Sequence, residues 1–241
     1  EGHRRVTGAS PPHQDMHVHS TFSDGKNTIE ENLERAVSLG LESLTCVDHV
    51  RRDTDWLPEY VAAIERLRPT ASLELICGVE AKLLNTAGDL DLPELPAGID
   101  RIYAADHQVP LEDGPHDPAL VRSQIETGVR DARDVIASIV KATAAAAVRH
   151  RGMVIAHLFS ILPKLGLDEA DVPDDLLDEL SQVAADTGTL VEIDERWKCP
   201  SARSLQPFAD RGVTVLMSTD SHTREKIGRF DYCSRTWLEI Q

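Results

Sequence analysis

Residues 13–19 read HQDMHVH, and segments of the same kind, short apolar or β-branched runs ending on or beside a histidine or an acid, recur along the 241-residue chain. They are 42–48 (ESLTCVD), 73–80 (LELICGVE), 99–106 (IDRIYAAD), 152–158 (GMVIAHL), 189–194 (TLVEID) and 213–219 (VTVLMST). Each reads as a strand. Amphipathic stretches at 28–39, 58–67, 118–149, 174–187 and 201–211 lie between them and read as helices. Thr28 and Glu31 form a capping-box pattern, with Gly40 placed to end that first helix.

Strands alternating with helices predict an α/β fold on a mostly parallel sheet. Seven such units in about 230 residues suit a closed or nearly closed barrel, with an open doubly wound sheet as the alternative. Residues 1–12 are expected to be a flexible N-terminal segment, and 13–241 a single barrel domain. The Leu-, Pro- and Gly-rich stretch 83–98 reads as a loop with a short hairpin.

Charge narrows the function classes. Lys and Arg number 25 against 41 Asp and Glu, a formal net charge of −16. A surface of that sign argues against a partner as polyanionic as long nucleic acid, and no run approaches the roughly 20 apolar residues of a membrane span. Residues 1–14 lack the apolar centre of a signal peptide. Cys46, Cys77, Cys199 and Cys233 are scattered without CxxC spacing, so reduced thiols and a cytoplasmic location are expected rather than a thiolate zinc site.

Six of the 10 histidines, His17, His19, His49, His107, His157 and His222, fall at or just beyond predicted strand ends. Asp15, Asp24, Asp48, Glu80, Asp106, Glu192, Asp194 and Asp220 share that bias. Strand ends on the carboxyl side form the mouth of a barrel. Strict alternation along the first strand would send Asp15, His17 and His19 to one side, where two imidazoles can grip one ion. Glu80 ends an apolar run, and burying its charge requires a compensating cation. Asp220 and His222 offer two more ligands after VTVLM. Nitrogen and oxygen donors without thiolate suit Mn, Fe or Zn.

The motifs Asp15-Met-His17-Val-His19-Ser-Thr-Phe-Ser-Asp24-Gly25, Val47-Asp48-His49, Gly78-Val79-Glu80, His107, Ala156-His157 and Ser218-Thr219-Asp220-Ser221-His222 together resemble the PHP (polymerase and histidinol phosphatase) superfamily of metal-dependent phosphoesterases. The resemblance implies a distorted (β/α)7 barrel holding two or three divalent ions. It assigns His17, His19, Glu80 and Asp220 to a first ion. Glu80 would bridge to a second ion bound with His107 and His157, and Asp24, His49 and His222 would hold the third. Two departures are mild: Val47 stands where Thr is usual, and Thr219-Asp220-Ser221-His222 stands where Ser-Asp-Ala-His is common; more informative is Asp194, which replaces an Asn and leaves the role of that position open.

The activity implied is hydrolysis of a phosphate ester of a small metabolite, through a hydroxide bridging the first two ions. Asp15, Asp48 and Glu192 are expected to orient imidazoles or waters. Arg196 and Lys198, beyond a strand end, would bind phosphate or stand as solvated loop charges. Loops 50–58, 83–98, 108–118 and 158–173 are expected to select the substrate. The alternative activity is a nuclease or phosphodiesterase acting on nucleotides or short oligonucleotides. A non-catalytic metal-stabilised domain and an amidohydrolase-type barrel rank lower, and the oligomeric state is not legible.

Overall fold

Each predicted strand pairs side by side with the next. The computed structural model describes residues 11–241, so residues 1–10 of the expected flexible segment lie outside the described residues. The strands are β1 (Gln14–Val18), β2 (Ser43–His49), β3 (Glu74–Lys82), β4 (Arg101–Ala105), β5 (Val109–Leu111), β6 (Gly114–His116), β7 (Val154–Ile155), β8 (Leu190–Asp194) and β9 (Val215–Ser218). Seven form one sheet in the order β1-β2-β3-β4-β7-β8-β9, parallel at every pairing. These are the seven strands expected from the sequence.

The sheet curls until its edges meet. Val18 bridges Ser221 in parallel, the His19 amide donates to the Ser221 carbonyl at 2.8 Å, and the Ser221 amide donates to the His17 carbonyl at 3.2 Å. That contact between β1 and the segment after β9 makes a nearly closed barrel, and the open-sheet alternative is set aside. The closure is distorted at β7, only two residues long, beyond which His157 (φ 26°) and Phe159 (φ 72°) turn the chain sharply.

Helices α1 (Ile29–Ser38), α2 (Leu57–Leu67), α3 (Pro118–Glu126), α4 (Ala132–Arg149), α5 (Asp174–Thr187), α6 (Ala202–Asp210) and α7 (Tyr232–Glu239) accompany the sheet. The Thr28–Glu31 capping box forms in both directions. The helical stretch expected over 118–149 is two helices. Gly128 turns left-handed at φ 73°, and Asp131 caps α4 by accepting from the Arg133 amide at 2.8 Å. The β5–β6 hairpin and α7 were not expected. Prolines at 110 and 115 hide the alternation of strands only three residues long.

Two apolar layers result. Met16, Val47, Ile76, Tyr103, Val154 and Leu216 fill the barrel interior, while Leu44, Cys46, Cys77, Val79, Ile155, Val191 and Met217 pack outward with the helices. The outward layer continues into α4, where Ile136, Ile139 and Val140 are fully covered. All four cysteines are free and buried. Among the described residues no helix is long and apolar enough to cross a membrane.

Candidate metal centre

The interior changes character toward the carboxyl ends of the strands. On β3 the inward positions run Ile76, Gly78, Glu80, and Glu80 arrives in the barrel mouth 2 % exposed. Its Oε2 lies 2.7 Å from His49 Nδ1, 3.7 Å from His17 Nε2 and 3.8 Å from His19 Nε2. Oε1 lies 2.9 Å from His157 Nε2 and 3.4 Å from His107 Nε2. Five imidazoles carried by four strand ends, with His17 and His19 both from β1, therefore converge on one carboxylate.

Two more acids extend the cluster. Asp220 Oδ1 stands 3.0 Å from His19 Nε2 and 3.5 Å from His222 Nδ1. Asp24 reaches His222 Nε2 at 3.1 Å, His49 Nε2 at 3.6 Å and His19 Nδ1 at 3.7 Å. Spacing within 4.8 Å groups His17, His19 and Asp220; His19, Asp24, His49 and His222; and His49, Glu80 and His107. All nine residues that the resemblance assigned to metal thus sit in one connected cluster. His13, His116 and His150 do not join it, and His3 lies outside the described residues.

The donors fit a cation. His17 Nε2, both ring nitrogens of His19 and Glu80 Oε2 are buried with no aligned hydrogen-bond partner. His19 Nε2 is near Asp220 yet not aligned to it as donor to acceptor, the relation expected of two ligands to one ion. Buried polar atoms left unpaired are costly unless something charged occupies the space they face.

Charge follows the same arrangement. Burial would raise the Glu80 carboxyl, but His107 and His17 hold it well below the usual carboxylate range. Burial would lower His17 and His157; Glu192 and Glu80 lift the first well above an ordinary imidazole, and Asp106 and Glu80 lift the second. His19 is pushed down by burial. Asp194, buried beside Glu192 and Asp220, is driven well above the carboxylate range.

A ring of polar groups fixes these rings and turns. His17 Nδ1 lies 3.1 Å from Glu192 Oε2, and Glu192 Oε1 accepts from the His157 amide at 2.7 Å. Sequence reasoning missed Ser160, whose hydroxyl donates to Asp106 at 2.7 Å and stands 2.8 Å from His157 Nδ1. It also missed Trp197 as the indole donating to Asp220 Oδ2 at 2.8 Å. The acids they meet, Asp106 and Asp220, are distant in the chain and give no signal in local spacing, although Ser160 stands only three residues after His157.

Asp15 and Asp48 differ from expectation. The β1–β2 register shifts between Asp15 and Val18, so strict alternation fails there. Asp15 accepts from the Thr219 amide (3.0 Å), the Thr219 hydroxyl (2.6 Å) and the Gly228 amide (2.9 Å), and burial lifts its pKa to about 6. Asp48 accepts from the Ser20 amide (2.9 Å) and hydroxyl (2.6 Å) and the Ser23 amide (3.2 Å). Both carboxylates tie the turns that carry Asp220 and Asp24; no hydrogen bond runs from either to an imidazole side chain among the described residues.

Arg196 Nη1 lies 3.2 Å from Asp220 Oδ2 and 2.7 Å from His222 Nδ1, at the edge of the cluster. Lys198, exposed and at φ 54°, lines a groove of ≈ 710 Å³ that opens from Asp220 and His222. That groove is lined by parts of 195–198 and 219–235, and a second of ≈ 560 Å³, sharing Arg196 and Lys198 with it, is lined by Phe159, Ser160, Lys164 and Asp168 of the 158–173 loop.

The PHP domain family matches residues 15–196 of this chain. Asp220 and His222 fall beyond the match, and the fold brings them to it. A protein of Acetivibrio thermocellus named "Probable phosphatase" is 23% identical over 239 residues, covering 94% of this chain and 86% of that one. A second bearing that name, from Clostridium acetobutylicum, is 25% identical over 224 residues, covering 90% and 82%. The crystal structure of histidinol phosphate phosphatase from Lactococcus lactis, complexed with zinc, L-histidinol and phosphate, shares the fold at TM-score 0.64 and 17% identity, covering 94% of this chain and 92% of that one. With most of its length matched by that family and its parallel strands curled into the same kind of barrel, the chain belongs to the PHP domain family.

Proposed function

We propose that this protein is a metal-dependent phosphoesterase that hydrolyses a phosphate monoester of a small metabolite, with residues 13–241 acting as one catalytic domain. Two or three divalent ions, Mn, Fe or Zn, would be held by His17, His19, Asp24, His49, Glu80, His107, His157, Asp220 and His222. The observation that carries this reading is the set of buried nitrogen and oxygen atoms of His17, His19 and Glu80 that face one another in the barrel mouth without an aligned hydrogen-bond partner. The names of the two similar proteins above agree with it.

Bound divalent ions supply polarisation of the phosphoryl group and acidification of water near neutral pH. The chain's own residues do the rest. Glu192 sets the ring of His17 and the backbone of His157, and Asp106 with Ser160 sets the other face of His157. Arg196, beside Asp220 and His222, can carry a fork of donors to a phosphoryl oxygen. Lys198 adds a point charge at the rim.

The test is phosphate release by the manganese-loaded protein from small phosphomonoesters, mononucleotides, cyclic nucleotides and short oligonucleotides, before and after chelation. Release from a small monoester that is lost on chelation and restored by metal is expected. Preference for diesters or oligonucleotides would replace this reading with the nuclease one. A fully metal-loaded protein releasing phosphate from nothing would point to a non-catalytic domain.

A further inference from the structure

We propose that the groove beside the metal centre receives a second anionic group of the substrate, so that the preferred phosphate ester carries a further phosphoryl or carboxylate group. The inference rests on the phosphoesterase reading and deepens it. The groove shares Asp220 and His222 with the metal cluster, so a molecule whose reacting phosphate lies at the cluster extends into it.

Five cations line it: Arg196, Lys198, Lys226, Arg229 and Arg235. In a chain of net charge −16 that concentration is local and contrary to the whole. The lining acids offset it only in part. Asp220 belongs to the metal cluster, and Glu195 is engaged by the amides of Tyr232 (3.1 Å) and Cys233 (3.0 Å) at the start of α7. Asp231 remains, exposed.

Carboxylate pairing holds few of these cations, although Arg235 Nε donates to the Asp231 carbonyl at 3.3 Å. Elsewhere on the surface Arg66, Arg149, Arg203 and Arg211 each pair with a carboxylate. Of the groove's five, Arg196 alone does so, with Asp220 at 3.2 Å. Lys198, Lys226, Arg229 and Arg235 have no carboxylate within 4.0 Å among the described residues, and all four are exposed to the groove or solvent. Unneutralised cations in a concave wall focus a positive field on whatever enters it.

Their backbone is fixed, which turns loop charges into a shaped wall. The Lys26 amide donates to the His222 carbonyl at 2.8 Å, the Arg224 amide to Asn27 at 2.9 Å and the Gly228 amide to Asp15 at 2.9 Å. Ile227, fully buried, anchors the segment between Lys226 and Gly228. Lys226 and Arg229 therefore flank a point tied to the same Asp15 that positions the Thr219–Asp220 turn. Preset cations lose less freedom on gripping an anion than mobile ones.

The experiment compares two matched pairs on the manganese-loaded enzyme: fructose 1,6-bisphosphate against fructose 6-phosphate, and 3-phosphoglycerate against glycerol 3-phosphate. At least one doubly anionic member is expected to exceed its partner in kcat/KM by about tenfold. Preference in the first pair identifies a second phosphoryl group, and in the second a carboxylate. In the doubly substituted Lys226→Gln/Arg229→Gln protein that preference falls about tenfold, chiefly through KM, and in the parent protein it shrinks as salt rises. Metal content and melting temperature of the variant serve as controls that the centre is intact. Equal kcat/KM within both pairs, or a preference that survives the double substitution, overturns the proposal. Should no probe release phosphate, calorimetric binding of fructose 1,6-bisphosphate decides it separately. Binding weakened about tenfold in the variant keeps the groove and discards the phosphoesterase reading, whereas equal binding discards both.

Discussion

Nearer the amino ends of the strands the inward side chains are Ile76 on β3, Tyr103 on β4 and Leu216 on β9. A few residues further along the same chain segments they are Glu80, His107 and Asp220, gathered in the barrel mouth. Backbone geometry is common to both ends. The apolar end gains from removing hydrocarbon from water, whereas the polar end buries carboxylates and imidazoles at a cost that only mutual attraction or a bound cation offsets. Stability and ligand supply are thus divided between two levels of one interior, which meet where the ring of Tyr103 lies 5.1 Å from that of His17.

The largest effect is expected from Glu80→Gln. It removes the carboxylate that five imidazoles approach, and activity on the responsive ester should fall by about a thousandfold or more, with reduced metal content by elemental analysis. A variant retaining near-normal turnover would break the comparison by showing that the polar level does not depend on its central acid.

Ile76→Ala, at the other level of the same strand, is expected to lower unfolding free energy by about 2–5 kcal/mol through loss of contacts and the cavity left behind. Urea denaturation measures it. Metal bound per folded molecule should stay as in the parent, and a matching loss of metal would show that the two levels are energetically coupled.

A smaller effect is expected where the two motifs of the first loop meet. A Cβ on Gly25 would stand 2.5 Å from the His19 carbonyl oxygen and 2.7 Å from the Ser20 amide. The backbone must therefore shift in Gly25→Ala, displacing His19 and Asp24 together. Metal affinity is expected to drop about tenfold, the scale of disturbing groups that support metal ligands. Competition with a chromophoric chelator reads the change, and unaltered affinity would show that the loop relaxes without moving either residue.

Much of this was readable before any fold. Apolar runs such as LICGV, followed at once by Glu80, and VTVLM, three residues short of Asp220, marked both the strands and their functional ends, because a parallel strand buried on both faces must be apolar until it emerges. The helix 118–149 was misread because its alanines and amphipathic spacing continue across Gly128, and one left-handed glycine in an otherwise helical stretch carries little weight in a periodicity. Asp15 was misread because a register shift is a property of two paired strands, invisible in one.

Composition and the order of strand and helix were determined by the sequence alone, since they depend on local pattern, and the nine candidate ligands were named from the sequence through its resemblance to the PHP superfamily. The tertiary structure decided what depends on residues distant in the chain: closure of β1 onto Ser221, the grip of Glu192 on His17, the indole of Trp197 on Asp220, and the basic groove assembled from residues 196–198 and 226–235. Pairings of that kind are set by the curvature of the sheet and the packing of its turns, and no spacing along a single chain encodes them directly.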